Sequence, residues 1–197
     1  MTDVIYRTAT SFNGFIADES NSLDWLFAVD DADTPDQPSF LEHIGVIVEG
    51  STTYEWLLEH TEVLRRPEQW REFYGDRPTY VFTSRRLTVP DGADVRFVNG
   101  PVLGVLPEIL AAADGKDVWV AGGGELAGQF ADVDALDRIE LTLAPVSLAA
   151  GARLFPRRLE SDRLHLTSAE RHGEFLDVTY TVSSEAGGDR HKSLPGP

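Results

Sequence analysis

Short runs of β-branched and aromatic residues alternate along this chain with stretches whose apolar positions recur every three or four residues. That is the pattern of strands alternating with helices. Val4 to Thr10 is the first run; it ends at Asn13-Gly14 and resumes as Phe15-Ile16-Ala17, which predicts a strand, a tight turn and a short second strand. Val46-Ile47-Val48 and Val118-Trp119-Val120-Ala121 are unbroken apolar runs, as strands buried on both faces require. Thr79 to Thr83, after the turn Gly75-Asp76-Arg77-Pro78, and Ile139 to Ala144 predict two more strands. Helical spacing occupies Tyr54 to His60, Val105 to Ala113 (stopped by Asp114-Gly115) and Glu125 to Phe130. Leu164 to Glu170 and Phe175 to Val182 flank His172-Gly173, the signature of an antiparallel hairpin. The expectation is an α/β domain over residues 1–184, with a mostly parallel central sheet that closes in an antiparallel C-terminal hairpin.

Two segments break the pattern. From Asp24 to Phe40 the chain carries Asp30, Asp31, Asp33 and Asp36 with Pro35 and Pro38, which predicts a short helix followed by an exposed loop, because these carboxylates would repel one another in a packed core. Residues 185–197 are rich in Gly, Pro and charge without periodicity, and a mobile tail is expected there.

Composition narrows the chemistry. With 42% hydrophobic and 25% charged residues the chain should fold as a globular protein. No apolar run approaches the roughly 20 residues that span a bilayer, and no basic segment followed by a hydrophobic stretch opens the chain, so a cytoplasmic protein without a membrane partner is expected. The absence of cysteine removes thiolate nucleophiles and sulfur-ligated metals, and the five histidines show no ligand spacing, so no metal is expected. Against 17 basic residues stand 33 acidic ones, a net charge of -16 that repels nucleic acid. A small anionic ligand remains compatible with that field if backbone amides at a helix N-terminus and an arginine or two receive it.

Three segments offer such a reception. Gly122-Gly123-Gly124 follows a buried strand and opens a helix, so backbone N–H groups would converge with no side chain in the way of a pyrophosphate. A tight turn without a ligand is the competing explanation. Gly122-x-Gly124-x-x-Ala127 also fits a Rossmann fingerprint with Glu140 placed to meet a ribose, but the proline, glycine and hairpin that follow Glu140 do not continue a parallel unit. Gly50-Ser51-Thr52-Thr53 ends another strand, where its hydroxyls would either cap the next helix or donate to a phosphate. Ser84-Arg85-Arg86 ends a third, and arginine can clamp a phosphate through two parallel hydrogen bonds.

In order along the chain, Ser11-Phe12-Asn13-Gly14-Phe15-Ile16-Ala17, Asp24-Trp25-Leu26, Gly50-Ser51-Thr52-Thr53-Tyr54-Glu55, Phe82-Thr83-Ser84-Arg85, Val118 to Leu126 and Leu154-Phe155-Pro156 form a recognisable set. It resembles the dihydrofolate reductase-like superfamily, and within it the bacterial branch related to the reductase domain of the riboflavin-biosynthesis deaminase-reductase. The resemblance implies a three-layer fold and a reductase that uses NADPH, with NADH left open. It places Ala9 and Ile16 near the nicotinamide, Gly50, Ser51, Thr52 and Thr53 near the phosphates, Ser84 and Arg85 around the adenosine phosphate, and Gly122, Gly123, Gly124, Glu125 and Leu126 under the pyrophosphate. It also implies a homodimer. One departure stands out. Family members often carry Gly-Arg-x-Thr where this chain has Gly50-Ser51-Thr52-Thr53, so the arginine expected at a ribose 2′-phosphate is missing, and Arg85 or Arg86 is the candidate replacement.

Reduction of a C=N or C=O bond needs a proton for the heteroatom. Asp30 follows Trp25 at the interval at which dihydrofolate reductases carry their substrate carboxylate; it is the first candidate and Asp24 the second. Glu49 ends an apolar strand where a pocket should open and is a candidate for the substrate side, or for a salt bridge to a nearby arginine. The expected substrate is a pteridine, a ribosylaminopyrimidine or another small conjugated carbonyl or imine. A dinucleotide-binding module without turnover is the alternative.

Overall fold

The computed structural model describes residues 2–30 and 37–184. Strand β1 (Val4–Ser11) leads through the Asn13-Gly14 turn into β2 (Phe15–Ala17), and α1 (Asp24–Phe27) and α2 (Gln37–Glu42) follow. Next come β3 (Ile44–Gly50), α3 (Ser51–His60), α4 (Glu68–Tyr74), β4 (Thr79–Phe82), β5 (Val95–Val98) and α5 (Val102–Ala112). The chain continues with β6 (Asp117–Gly122), α6 (Gly124–Asp132), β7 (Arg138–Ala144), β8 (Ala152–Arg153), β9 (Leu164–His172) and β10 (Phe175–Val182).

One eight-stranded sheet runs in the order β5-β4-β3-β6-β1-β7-β10-β9, and β2 pairs with β8 separately. Strands β5 through β7 in that order are mutually parallel, whereas β10 is antiparallel to β7 and β9 to β10. The mostly parallel sheet with an antiparallel finish is therefore as the hydrophobic pattern predicts.

Side-chain alternation divides the core into two layers. Val46, Val48, Val118 and Val120 join Val102 and Ile109 of α5 and Leu126 and Phe130 of α6 on one face. Ile44, Ile47 and Val81 join Tyr54 and Leu57 of α3 and Trp70 and Tyr74 of α4 on the other. Two helical layers around a sheet give each central strand two buried faces, which is why β3 reads as a continuous apolar run.

Several boundaries differ from the sequence expectation. Helix α3 begins at Ser51, so Ser51, Thr52 and Thr53 form its first turn and Gly50 is the N-cap. Strand β5 and helix α4 carried too little periodicity in four and seven residues to stand out. Helix α5 starts three residues earlier than its apolar spacing indicates and contains Pro107 within its first two turns. The calls on Asp31, Asp33, Pro35, Asp36 and the tail 185–197 lie outside the described residues. No helix among the described residues is long and apolar enough to cross a membrane.

Candidate functional site

Strands β3 and β6 are neighbours in the sheet, yet the chain leaves them in opposite senses: from β3 it moves outward to β4 and β5, and from β6 it moves on to the β1 side. A crevice opens beyond the C-terminal ends of two parallel strands at such a reversal. Gly50 and Gly122 end these strands, and a Cβ on Gly50 would lie 3.9 Å from the Gly122 carbonyl oxygen. Thr53, on the first turn of α3, packs so close to Gly122 that a Cβ there would stand 2.6 Å from its Oγ1.

The crevice is a cavity of about 420 Å³, lined by Gly50 to Thr53, Phe82 to Ser84, Val98 to Gly100, and Gly123, Glu125, Leu126 and Gln129. Two helices begin on it. Gly50 caps α3 and Gly123 caps α6, both in extended backbone conformation, and neither N-terminus receives a side-chain cap. The first-turn N–H groups of both helices are therefore left for a ligand or solvent, with the positive end of each helix dipole behind them. The capping role considered for Ser51, Thr52 and Thr53 is not what the structure shows: no side chain caps α3, and these three residues line the cavity.

The three glycines of the turn have separate reasons. A Cβ on Gly124 would run into the backbone carbonyls of Arg153 and Leu154, so this position is fixed by close packing. Gly122 is held against Thr53. Only Gly123 has free space, its nearest neighbour being the Ile16 side chain at 3.9 Å, and it faces the cavity. The Gly122–Gly123 peptide bond is cis.

Charge around the cavity is arranged in pairs. Glu125, one of the lining residues, takes two bonds from Arg157, at 2.7 and 3.0 Å, and Arg157 also binds Asp132; the guanidinium holds the Glu125 carboxyl below its ordinary value. Arg85 does not line the cavity. Its two terminal nitrogens engage the two carboxylate oxygens of Glu55, at 2.8 and 2.5 Å.

A family model for the RibD C-terminal domain matches residues 2–176. The chain belongs to that family. Among curated proteins, an uncharacterized protein of Bacillus subtilis, YwjB, is 29% identical over 172 residues, covering 87% of this chain and 93% of its own. A putative riboflavin biosynthesis protein from Shewanella sp. PV-4 superposes with TM-score 0.75 at 24% identity over 92% of this chain and 99% of its own. A diaminohydroxyphosphoribosylaminopyrimidine deaminase/5-amino-6-(5-phosphoribosylamino)uracil reductase of Thermotoga maritima gives 0.63 at 16% identity, over 92% of this chain and 57% of that one. The dihydrofolate reductase of Enterococcus faecalis, complexed with NADP(H), gives 0.57 at 15% over 92% and 97%. The fold of this RibD C-terminal domain protein is thus dihydrofolate reductase-like.

Within this fold the residues singled out from sequence separate into groups. Gly50 to Thr53, Ser84, Gly123, Glu125 and Leu126 share the cavity. Ile16 adjoins it through Gly123, and Ala9 lies half-buried on β1. Asp24 opens α1, Asp30 follows its end, and both are exposed. Glu49 is a different case: its side chain is fully buried, with Oε2 accepting from the Tyr74 hydroxyl at 3.3 Å and no protein partner for Oε1. No arginine pairs with it among the described residues, and burial pushes its carboxyl up to about 8. It has no surface that a substrate could touch with Tyr74 in place. Sequence reasoning missed Asn99 and Gly100; the β-rich Val95 to Val98 run ending in Asn-Gly was the signal that could have found them.

Glu140 does not fit the Rossmann role. It lies on β7, faces Arg7 at 4.0 Å and Arg138 at 3.7 Å, and is absent from the cavity wall.

Proposed function

We propose that this protein is an NAD(P)H-dependent reductase acting on a small conjugated carbonyl or imine of the pteridine or ribosylaminopyrimidine type. The observation that carries this reading is the convergence of two helix N-termini without side-chain caps on one cavity at the reversal of the sheet. Family membership supports it, as does the shared fold of a uracil reductase and of a dihydrofolate reductase. NADPH is the form that the resemblance implies.

A bound nicotinamide dinucleotide would supply the hydride. The first-turn amides of α3 and α6, with the hydroxyls of Ser51, Thr52 and Thr53, would hold its pyrophosphate, and Gly123 would admit it. Ile16 stands beside Gly123 on the β1 side, the position proposed for the nicotinamide edge. Asp30, with Asp24 as second candidate, would provide the proton for the reduced heteroatom. Asp24 opens α1 and Asp30 follows its end, and α1 is tied to α3 by Phe27 resting on Trp56 with ring centroids 6.3 Å apart. We also propose a homodimer, supported by the outer edge of β9 and by exposed Leu166 and Leu176 on the last two strands.

Titration with NADPH and with NADH, followed by melting temperature and nicotinamide fluorescence, tests the cofactor. Oxidation in the presence of pteridines, ribosylaminopyrimidines and simple conjugated imines tests turnover. Stabilisation without oxidation of any of these favours the binding module, and no stabilisation by either dinucleotide overturns both readings.

A further inference from the structure

Glu125 carries the one ionisable side chain in the cavity wall, and it stands where an anion would be received. It is the second residue of α6, following the N-cap Gly123 and Gly124, at an N-terminus that has no side-chain cap. A carboxylate there is attracted to the same first-turn N–H groups that the cavity offers to a ligand, and it repels any phosphate that approaches them. Left to itself, Glu125 would work against the site it lines.

The structure draws this carboxylate aside. Arg157, in the segment after β8, donates to Glu125 through both terminal nitrogens, at 3.0 and 2.7 Å, while its Nε reaches Asp132 at the last position of α6, at 2.9 Å. Its side chain therefore lies along α6 over the stripe Glu125, Gly128 and Asp132, residues three and four apart on one helix face. Glycine inside a helix is disfavoured relative to alanine, yet Gly128 is buried in the middle of α6. Arg157 explains it: a Cβ on Gly128 would stand 2.8 Å from Arg157 Cγ and 3.1 Å from its Cζ and Nε. The guanidinium thus sits over the residue three positions beyond Glu125, about 4.5 Å further along the axis from the N-terminus. Glu125 and Asp132 are exposed, and surface ion pairs of this kind add little to stability. What the arrangement fixes is the direction of the Glu125 carboxylate, with a cation set against its charge.

We propose that Arg157 is a positioning residue for dinucleotide binding: it holds the Glu125 carboxylate back along α6, keeps the first-turn amides of that helix open, and balances the one negative charge in the wall. The inference rests on the reading of the cavity as a dinucleotide site, and it concerns NADH and NADPH alike, since both present the same pyrophosphate. Gly128 acts through Arg157, by leaving it room to lie against the helix.

Isothermal titration of the full chain with NADPH and with NADH, without a second substrate, provides a readout independent of turnover. Arg157→Met, which keeps an apolar stem over Gly128, should weaken both dinucleotides by the same factor, about fivefold. At about 1 M salt that loss should shrink to within twofold, because only a charge effect is screened. In a Glu125→Gln background the same change should likewise cost less than twofold, since no carboxylate is left to hold back. Gly128→Ala, which displaces the guanidinium without removing it, should reproduce the loss beside Glu125 and not in the Glu125→Gln background, with circular dichroism as the control for folding. Unaltered affinity in Arg157→Met overturns the inference, and so does a loss that persists undiminished in the Glu125→Gln background or at high salt; in each case the dinucleotide reading stands. Failure of the unaltered protein to bind either dinucleotide overturns that reading, and the inference with it.

Discussion

The Tyr74 hydroxyl donates to Oε2 of Glu49 at 3.3 Å beneath α4, and this one long bond is the only protein hydrogen bond that either carboxyl oxygen makes among the described residues. Burial disfavours the charged form and raises the carboxyl to about 8; the bond from Tyr74 opposes that shift only in part. The folded protein therefore keeps a proton on Glu49 that the unfolded chain releases near its ordinary carboxylate value. Between those two values the native state binds more protons, so stability falls as pH rises. At about 1.4 kcal/mol per unit, the loss from below pH 4.5 to above pH 8 has an upper bound of about 5 kcal/mol. Glu49→Gln should remove this slope. Urea unfolding at pH 5 and pH 9 should show the variant gaining on the unaltered protein by several kcal/mol at the higher pH, whereas a constant difference at both would show that Glu49 does not titrate in this window.

Neighbouring glycines should respond in opposite ways. In Gly123→Val the new side chain enters open space on extended backbone, so melting is expected to shift little while dinucleotide binding is lost. In Gly124→Ala the methyl meets the Arg153 and Leu154 carbonyls, which are backbone and cannot swing aside; a loss of about 2 kcal/mol in stability is expected. Thermal melts with and without ligand separate the two effects. Retained binding in Gly123→Val would count against the cavity as the dinucleotide site.

Glu140 faces Arg7 and Arg138 rather than the cavity. Glu140→Gln should leave NADH and NADPH affinity within twofold. A tenfold loss of NADH affinity on titration would restore the Rossmann assignment.

Asp30→Asn should lower turnover at least tenfold, with dinucleotide affinity unchanged, once an oxidising substrate is in hand. An equal loss in Asp24→Asn with no effect at Asp30 would move the proton donor to the start of α1. Unchanged turnover in both variants would assign the proton to solvent.

The order of strands and helices was legible because the buried strands Val46 to Val48 and Val118 to Ala121 have both faces covered and cannot admit polar residues. The antiparallel ending was legible for a local reason as well, since His172-Gly173 sits between two β-rich runs. Glycines 122 to 124 and Gly50 to Thr53 stood out because turns at strand ends need special residues, and their convergence could be expected once both strands were taken as parallel. Spacing along a chain says nothing about which charged side chains meet across it. The engagement of Arg85 by Glu55, 30 residues away in sequence, that of Glu125 by Arg157, and the enclosure of Glu49 under Tyr74 were decided by how α3, α4 and the segment after β8 pack on the sheet. The sequence by itself determined the order of the buried strands and which glycine-bearing turns end them, because both follow from local burial and backbone geometry. Tertiary structure decided which carboxylates are buried, which arginines are occupied and which glycine faces the cavity, because these depend on distances between residues remote in the chain.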